Sequence, residues 1–76
     1  MTVVQSLSYK KIVSALRRAG FEVGWQTGSH IHMIKRATSG ERICITVPAY
    51  RPVPPWILAK IIKKAGLTLE VFQGFL

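Results

Sequence analysis

The chain has 76 residues, of which eleven are Lys or Arg and three are Glu, so its formal net charge is +8 at pH 7. Hydrophobic residues make up 49% of it, which excludes a disordered basic tail, because such tails lack apolar content. The length predicts a single domain, residues 1–76, and excludes a deep, multi-layered active site. So basic a domain is expected to bind a polyanion: nucleic acid, an anionic membrane or an acidic protein.

Cysteine usage and the N-terminal sequence bear on the compartment. Cys44 is the single cysteine, which excludes an internal disulfide and a Cys-based zinc site. One unpaired Cys fits a reducing compartment, and residues 1–8 lack the basic-then-apolar pattern of a secretory signal, so we expect a cytoplasmic protein. No apolar run approaches the ~20 residues of a membrane span. No metal or other cofactor is expected.

The first helix is predicted over residues 9–19, after a lead-in of residues 1–7 that is either frayed or an extra edge strand. Ser8 is its expected N-cap, and Gly20 is its expected C′ residue. Apolar residues recur at helical spacing on one face of this helix. Four basic residues gather on the opposite face: Lys10, Lys11, Arg17 and Arg18.

Three strands are predicted next, because the apolar period changes from 3.6 to 2 after the first helix. They cover residues 21–26, 30–36 and 42–47. Residues 27–29, Thr-Gly-Ser, predict a tight turn, and residues 37–41 predict a hairpin loop. Short connections between consecutive strands indicate an antiparallel meander.

A second helix follows an extended loop that four prolines predict. Pro55 is expected at position N1 of this helix, which covers residues 55–65 and has Gly66 as its C′ residue. Thr68 is expected to cap a final short turn over residues 69–72.

The order α-β-β-β-α predicts an α+β fold in which both helices pack on one face of a three-stranded antiparallel sheet. The opposite sheet face is then open to solvent. Strand alternation places seven residues on this open face: Glu22, Gln26, His30, His32, Arg42, Cys44 and Thr46. Trp25 alternates in phase with Phe21 and Val23, so it is expected in the core.

His30 starts the second strand directly after the Gly-Ser turn. Imidazole transfers protons near neutral pH, with an ordinary pKa of about 6.5. In metal-free RNA cleavage, a base takes the proton from a ribose 2′-OH, which attacks the adjacent phosphate while cations stabilise the developing charge. A histidine chosen for polarity on a solvated strand is the alternative, and spacing alone favours that alternative.

His32 faces the same way as His30, but a His-x-His pair needs a third ligand to hold a metal, and the chain has no Asp and few Glu residues. A structural or substrate-contact role is therefore the better interpretation of His32. In the proline-rich loop, Tyr50 and Arg51 either reach a phosphate or pin the loop.

Trp56 lies on the outer stripe of the second helix with Lys60 and Lys63, at positions i, i+4 and i+7. An exposed Trp among lysines stacks a base or anchors a protein partner. The alternative is that Trp56 folds back over the proline-rich loop.

Several segments taken together resemble a known family. The run S-Y-K-K-I-V-S-A-L-R-R-A-G-F-E-V leads to G-S-H, then an aliphatic strand, then I-T-V-P and finally I-L-A-K-I-I-K-K-A-G-L-T. From Ser8 to about Phe72, the chain resembles the HicA family of bacterial and archaeal toxins, small mRNA interferases with a double-stranded-RNA-binding-domain-like fold. The resemblance implies a type II toxin that cleaves single-stranded RNA or mRNA through the histidine of G-S-H, here His30. It also implies inhibition by an acidic HicB-like antitoxin.

The resemblance and the charge together predict the RNA contacts. Gly28 and Ser29 are expected to shape the turn that presents His30. The predicted RNA-binding residues are Gly28, Ser29, His32, Lys10, Lys11, Arg42, Arg51, Lys60 and Lys63.

Two positions depart from the family's pattern. Tyr50 stands where many members have a histidine after the V-P of the third strand. Pro55 and Trp56 stand where many members have Gly-Thr, which removes a possible phosphate contact at a helix N-terminus. Two alternatives to a nuclease stay open: a non-catalytic RNA-binding module of the same fold, and a basic domain that binds an acidic protein.

Overall fold

The structure, a computed structural model, describes residues 6–76. The three strands form one antiparallel sheet in the order β1-β2-β3, which confirms the predicted meander and the α+β class. The elements are α1 (Tyr9–Arg18), β1 (Glu22–Thr27), β2 (His30–Arg36), β3 (Arg42–Pro48), α2 (Pro55–Lys64) and α3 (Leu69–Gly74).

The ends of the two longer helices lie where the sequence predicts them. Ser8 is the N-cap residue of α1, although its side chain makes no capping hydrogen bond. At the C-terminus of α1, the ammonium group of Lys35 binds the helix end: its Nζ donates a 2.8 Å hydrogen bond to the carbonyl oxygen of Ala19. Pro55 starts α2, as predicted, because a missing N–H costs nothing at the first helical position. None of the helices within residues 6–76 is long and apolar enough to cross a membrane.

The core lies between the helices and one face of the sheet, so both predicted helices do pack on the same face. Every buried side chain among the described residues is apolar. The core comprises Ile12, Ala15, Leu16, Phe21, Ile31, Met33, Ile45, Val47, Val53, Leu58, Ile61, Ile62, Ala65 and Phe72.

The C-terminal segment forms a helix, α3, where the sequence predicts only a short turn. Its predicted cap is confirmed, since Thr68 Oγ1 accepts a 3.1 Å hydrogen bond from the amide of Val71. Phe72 is buried in the core, and Arg18 of α1 donates a 2.8 Å hydrogen bond to the carbonyl oxygen of Phe75. The segment is therefore docked on the domain.

The lead-in before α1 is described from Ser6 onward, and residues 1–5 lie outside the described part of the chain. Leu7 forms an isolated antiparallel bridge with Val53, whose amide donates a 2.7 Å hydrogen bond to the carbonyl oxygen of Leu7. This bridge joins the start of the described chain to the proline-rich loop.

The ladder between β1 and β2 contains a bulge at Gly24. Val23 pairs with Met33 and Trp25 pairs with His32, so Gly24 is an extra residue between them. One extra residue reverses the alternation of side chains beyond it. Trp25 consequently lies on the open face with 46% of its surface exposed, and the prediction that it is in the core is wrong.

The same bulge moves Gln26 to the other side of the sheet. Gln26 pairs with Ile31, whose side chain is buried under the helices, and it lines a groove between α1 and β1. The prediction that Gln26 lies on the open face is wrong for this reason. The strand pairings confirm the open face for the other predicted residues, namely Glu22, His30, His32, Arg42, Cys44 and Thr46.

Candidate functional site

His30 lies at one end of the open sheet face, directly after the two-residue turn between β1 and β2. Gly28 has a φ of +58°, and no residue other than glycine has a positive φ within residues 6–76. This pattern is typical of a II′ turn, whose twist matches that of the two strands it joins. The turn therefore leaves the His30 side chain exposed at the sheet end.

The backbone of His30 is paired on both sides, because β2 is the central strand. It lies opposite Thr27 of β1 and Pro48 of β3. The strand pairing on both sides therefore fixes the backbone of His30, while its imidazole ring stays accessible to solvent. Such a group can transfer a proton to or from a substrate laid across this end of the sheet.

His32, the next open-face residue of β2, contacts side chains from both edge strands. Its ring stacks on the indole of Trp25, with the ring centroids 4.7 Å apart and 18° between the planes. Its Nδ1 atom lies 3.1 Å from Thr46 Oγ1, within hydrogen-bond distance, and the tautomer decides which group donates. The alternation of β1 does not predict Trp25 here; the signal in the sequence is an isolated glycine, Gly24, inside a strand pattern.

The loop that follows β3 brings a cation to the same end of the sheet as His30. The Arg51 guanidinium carbon lies 5.5 Å from the centroid of the Tyr9 ring, at the start of α1. The Tyr9 amide donates a 3.1 Å hydrogen bond to the carbonyl oxygen of Tyr50. The side chains of Tyr50 and Arg51, which belong to this loop, are both exposed.

Arg42 lies far from His30. It pairs with Arg36, the last residue of β2, whereas His30 is the first. A strand rises ~3.3 Å per residue, so the two ends of β2 are about 20 Å apart. The structure therefore separates Arg42 from the turn that carries His30.

The lysines of the helices lie on surfaces other than the open face. Lys10 lines the groove between α1 and β1, and Lys11 lines a second groove beside the C-terminus. Lys60 and Lys63 are exposed on α2, which packs on the opposite side of the sheet from His30.

Trp56 is 64% exposed at the first turn of α2, with Lys60 Nζ 5.3 Å from its ring centroid. The structure thus places Trp56 at the surface beside a lysine, and not folded over the proline-rich loop.

Cys44 is half-buried and unpaired on β3, opposite Ile34. Residues 6–76 hold no group of three or more His, Cys, Asp or Glu side chains placed to bind a metal ion. The predicted residues that the fold does bring together are thus Gly28, Ser29, His30 and His32, with Arg51 near the same end of the sheet.

A comparison with protein families identifies the chain. The family model described as HicA toxin of bacterial toxin-antitoxin matches residues 9–67, a span that holds α1, all three strands and α2. No curated protein and no solved structure matches the chain. Because the family match covers most of its length, the chain belongs to the HicA toxin family.

Proposed function

We propose that this chain is the toxin of a type II toxin–antitoxin pair and that it cleaves mRNA as a metal-independent endoribonuclease, with His30 as general acid/base. Membership of the HicA family supports the role of toxin. The observation that carries the cleavage proposal is the exposed imidazole of His30 on the doubly paired central strand, at the end of an open sheet face.

The proposed chemistry needs little from the protein, because RNA supplies its own nucleophile. A base takes the proton of a ribose 2′-OH, the 2′-oxygen bonds to the adjacent phosphorus, and the bond from phosphorus to the 5′-oxygen breaks. The departing 5′-oxygen takes up a proton, which leaves a cyclic phosphate and a 5′-hydroxyl end. His30 takes the first proton or gives the second, and general acid–base catalysis of this kind contributes typically ~10²–10⁴-fold.

The charge of the chain supports binding of the RNA backbone. The chain carries a net charge of +8, so its Lys and Arg side chains can contact RNA phosphates and release the counterions bound to them. The affinity for RNA is then expected to fall steeply as the salt concentration rises. Arg51, in the loop after β3 at the His30 end of the sheet, is proposed to hold the phosphate that is cut. Four lysines that lie on other surfaces, and Arg42 at the far end of the open face, are proposed to hold more distant parts of the RNA. The lysines are Lys10, Lys11, Lys60 and Lys63.

The same net charge of +8 supports an acidic antitoxin of the HicB type as partner. Complementary charge speeds association and suppresses wrong partners. An acidic protein that covers the open face blocks RNA from His30.

The experiment is cleavage of single-stranded RNA by the purified chain in EDTA, compared with the variants His30→Ala and His32→Ala. His30→Ala is expected to lose at least ~10²-fold in rate at saturating RNA, and still to bind an uncleavable 2′-O-methyl RNA. His32→Ala, from the same face and residue type, is expected to weaken binding more than the rate at saturation. Circular dichroism checks that both variants fold.

Three outcomes contradict the proposal. Wild-type cleavage that persists unchanged in His30→Ala rejects the role of His30. Salt-sensitive RNA binding with no cleavage, and no growth arrest on expression, indicates a non-catalytic RNA-binding module. Negligible RNA affinity at physiological salt, together with a tight complex with an acidic protein, indicates a protein-interaction domain.

A further inference from the structure

We infer that Trp25 and His32 form a stacking platform for one unpaired RNA base beside His30. We call the stacked ring pair of these two residues the stacking platform. The inference rests on the proposal that the polymer bound here is RNA, and it adds a base-binding subsite to that proposal.

The exposure of Trp25 is the first observation. An indole is among the largest apolar groups of a protein, and core packing is its usual place in a small domain. Here 46% of Trp25 is exposed, although strict alternation along β1 would have turned it toward the helices. The bulge at Gly24 turns it to the open face instead, and bulges are frequent where a side chain is re-aimed next to a functional site.

The geometry of the ring pair is the second observation. His32 covers one face of the indole at a centroid distance of 4.7 Å. In the sheet that residues 6–76 form, β1 is an edge strand, so the other indole face is turned away from the sheet and no strand of the described residues lies beside it. An uncovered π-face is what an unpaired base stacks on, whatever its sequence.

The platform is also held in place before anything binds. His32 is fixed from the other side by its hydrogen bond to Thr46 Oγ1. A ring that is already ordered loses little conformational entropy when a ligand stacks on the pair, which favours binding.

The position of the platform relative to His30 is the third observation. Trp25 pairs with His32 and Thr27 pairs with His30, so Trp25 and His30 are diagonal neighbours on one face. Such neighbours lie about 7–8 Å apart. A base stacked on Trp25 therefore brings a neighbouring ribose and phosphate to the His30 ring.

The surroundings favour RNA over a protein as the occupant. Beside His32 and toward the His30 end of the sheet, the open-face residues of the described chain are polar: Thr27, His30 and Thr46. On the other side of the platform, the next open-face residues of β2 and β3 are Ile34 and Cys44. A protein hot spot lies in a fully desolvated pocket, ringed by contacts that exclude water. A nucleotide needs one π-face together with nearby donors and cations, which is what this face and the +8 charge offer.

The first test reads the fluorescence of Trp25 directly. The chain has two tryptophans, so Trp56→Phe leaves Trp25 as the single reporter. A single-stranded 2′-O-methyl RNA of about ten nucleotides, mixed in sequence, serves as probe, because its blocked 2′-oxygen prevents cleavage. We expect saturable quenching of Trp25 emission. In the matched variant Trp25→Phe, where Trp56 reports, we expect a smaller change.

The second test measures affinity for the same probe. Trp25→Ala is expected to weaken binding roughly 5- to 150-fold, the usual range for one stacked base, whereas Trp25→Tyr keeps most of the affinity. The slope of log affinity against log salt is expected to stay the same in Trp25→Ala, because no phosphate contact is lost. An abasic oligonucleotide is expected to bind the wild type and Trp25→Ala equally.

Two results overturn the inference. One is unchanged Trp25 emission in the saturated RNA complex, which decides the matter even where Trp25→Ala fails to fold. The other is equal RNA affinity of a folded Trp25→Ala and the wild type; loss of binding to an acidic protein in that variant then assigns Trp25 to a protein contact. Cleavage is measured separately, so a chain that does not cleave but shows quenching and the affinity loss keeps the platform and rejects the nuclease.

Discussion

The amide of Ala49 donates a hydrogen bond to the carbonyl oxygen of Ser29, with an N···O distance of 2.6 Å. This bond ties the residue after β3 to the turn that precedes His30. The pairing of His30 with Thr27 and Pro48 holds the next residue of the chain on both sides. The position of the imidazole therefore depends on the geometry of the turn.

Gly28→Ala is expected to destabilise this turn. Apart from Gly28 and its two chain neighbours, no heavy atom of residues 6–76 lies within 4 Å of a Cβ placed at Gly28, so the penalty arises from its φ of +58°. A non-glycine residue in such a region costs about 1–3 kcal/mol. We expect a lower urea midpoint and slower RNA cleavage, with affinity for uncleavable RNA largely kept.

A D-alanine at position 28, introduced by chemical synthesis, is the matched control, because a D-residue adopts positive φ without strain. It is expected to restore both stability and cleavage. If Gly28→Ala behaves as the wild type, the turn does not depend on this backbone conformation.

Arg51 and Arg42 are expected to differ in their effect on a short RNA. Arg51→Gln removes a cation at the His30 end of the sheet, whereas Arg42→Gln removes one about 20 Å away along β2. We expect Arg51→Gln to lower kcat/KM more, and to reduce the salt slope of binding by about 0.7 for a single strand. Titrations at several salt concentrations measure both effects. A larger effect of Arg42→Gln would place the RNA path at the other end of the sheet.

Lys35→Met is expected to destabilise the end of α1. Lys35 Nζ donates to the carbonyl oxygen of Ala19 and lies 5.6 Å from the centroid of the Phe21 ring. Methionine keeps the apolar stem but loses the charge and the donor, at a cost of about 1 kcal/mol. Chemical denaturation measures this loss in the free energy of unfolding. The control is Lys64→Met, which changes an exposed lysine in the last turn of α2. Equal losses in both variants would point to net charge and not to this hydrogen bond.

Phe72→Ala tests whether α3 is part of the folding unit. Phe72 lies beyond the matched residues 9–67, yet only 1% of it is exposed. Truncation of a buried Phe costs about 3–5 kcal/mol, a large share of the stability of a small domain. Val71→Ala, at an exposed neighbour, is expected to stay within about 0.5 kcal/mol. Urea unfolding followed by circular dichroism measures both; similar values would show that α3 is dispensable.

The elements that depend on local chemistry are predicted well. The bounds of β2, residues 30–36, and the start of α2 at Pro55 agree with the structure. In each case the signal lies within a few residues: side-chain alternation after a Gly-Ser turn, and a proline that fits the first helical position. The isolated glycine Gly24 signals a bulge, but the bulge itself belongs to the pairing of two strands, so alternation along β1 does not show which face Trp25 takes.

The residues of the candidate site also fall into two groups, those that the local sequence places correctly and those whose position depends on strand pairing. Gly28, Ser29, His30 and His32 are close in sequence, so their grouping follows from one turn and one strand. The separation of Arg42 from His30 follows from strand length and register. The stack of Trp25 on His32 depends on a pairing across strands, which periodicity within one strand cannot supply. The roles of these residues in RNA binding and cleavage stay predictions.

The bulge also affects how β1 tolerates a deletion. Removing one residue from an alternating strand ordinarily turns over every side chain beyond the cut. Here Val23 and Trp25 already lie opposite consecutive residues of β2, Met33 and His32. Deleting the codon for Gly24 would therefore straighten the ladder and leave both side chains on their present faces. At this point of the gene, the loss of three nucleotides shortens the strand without exchanging its two surfaces.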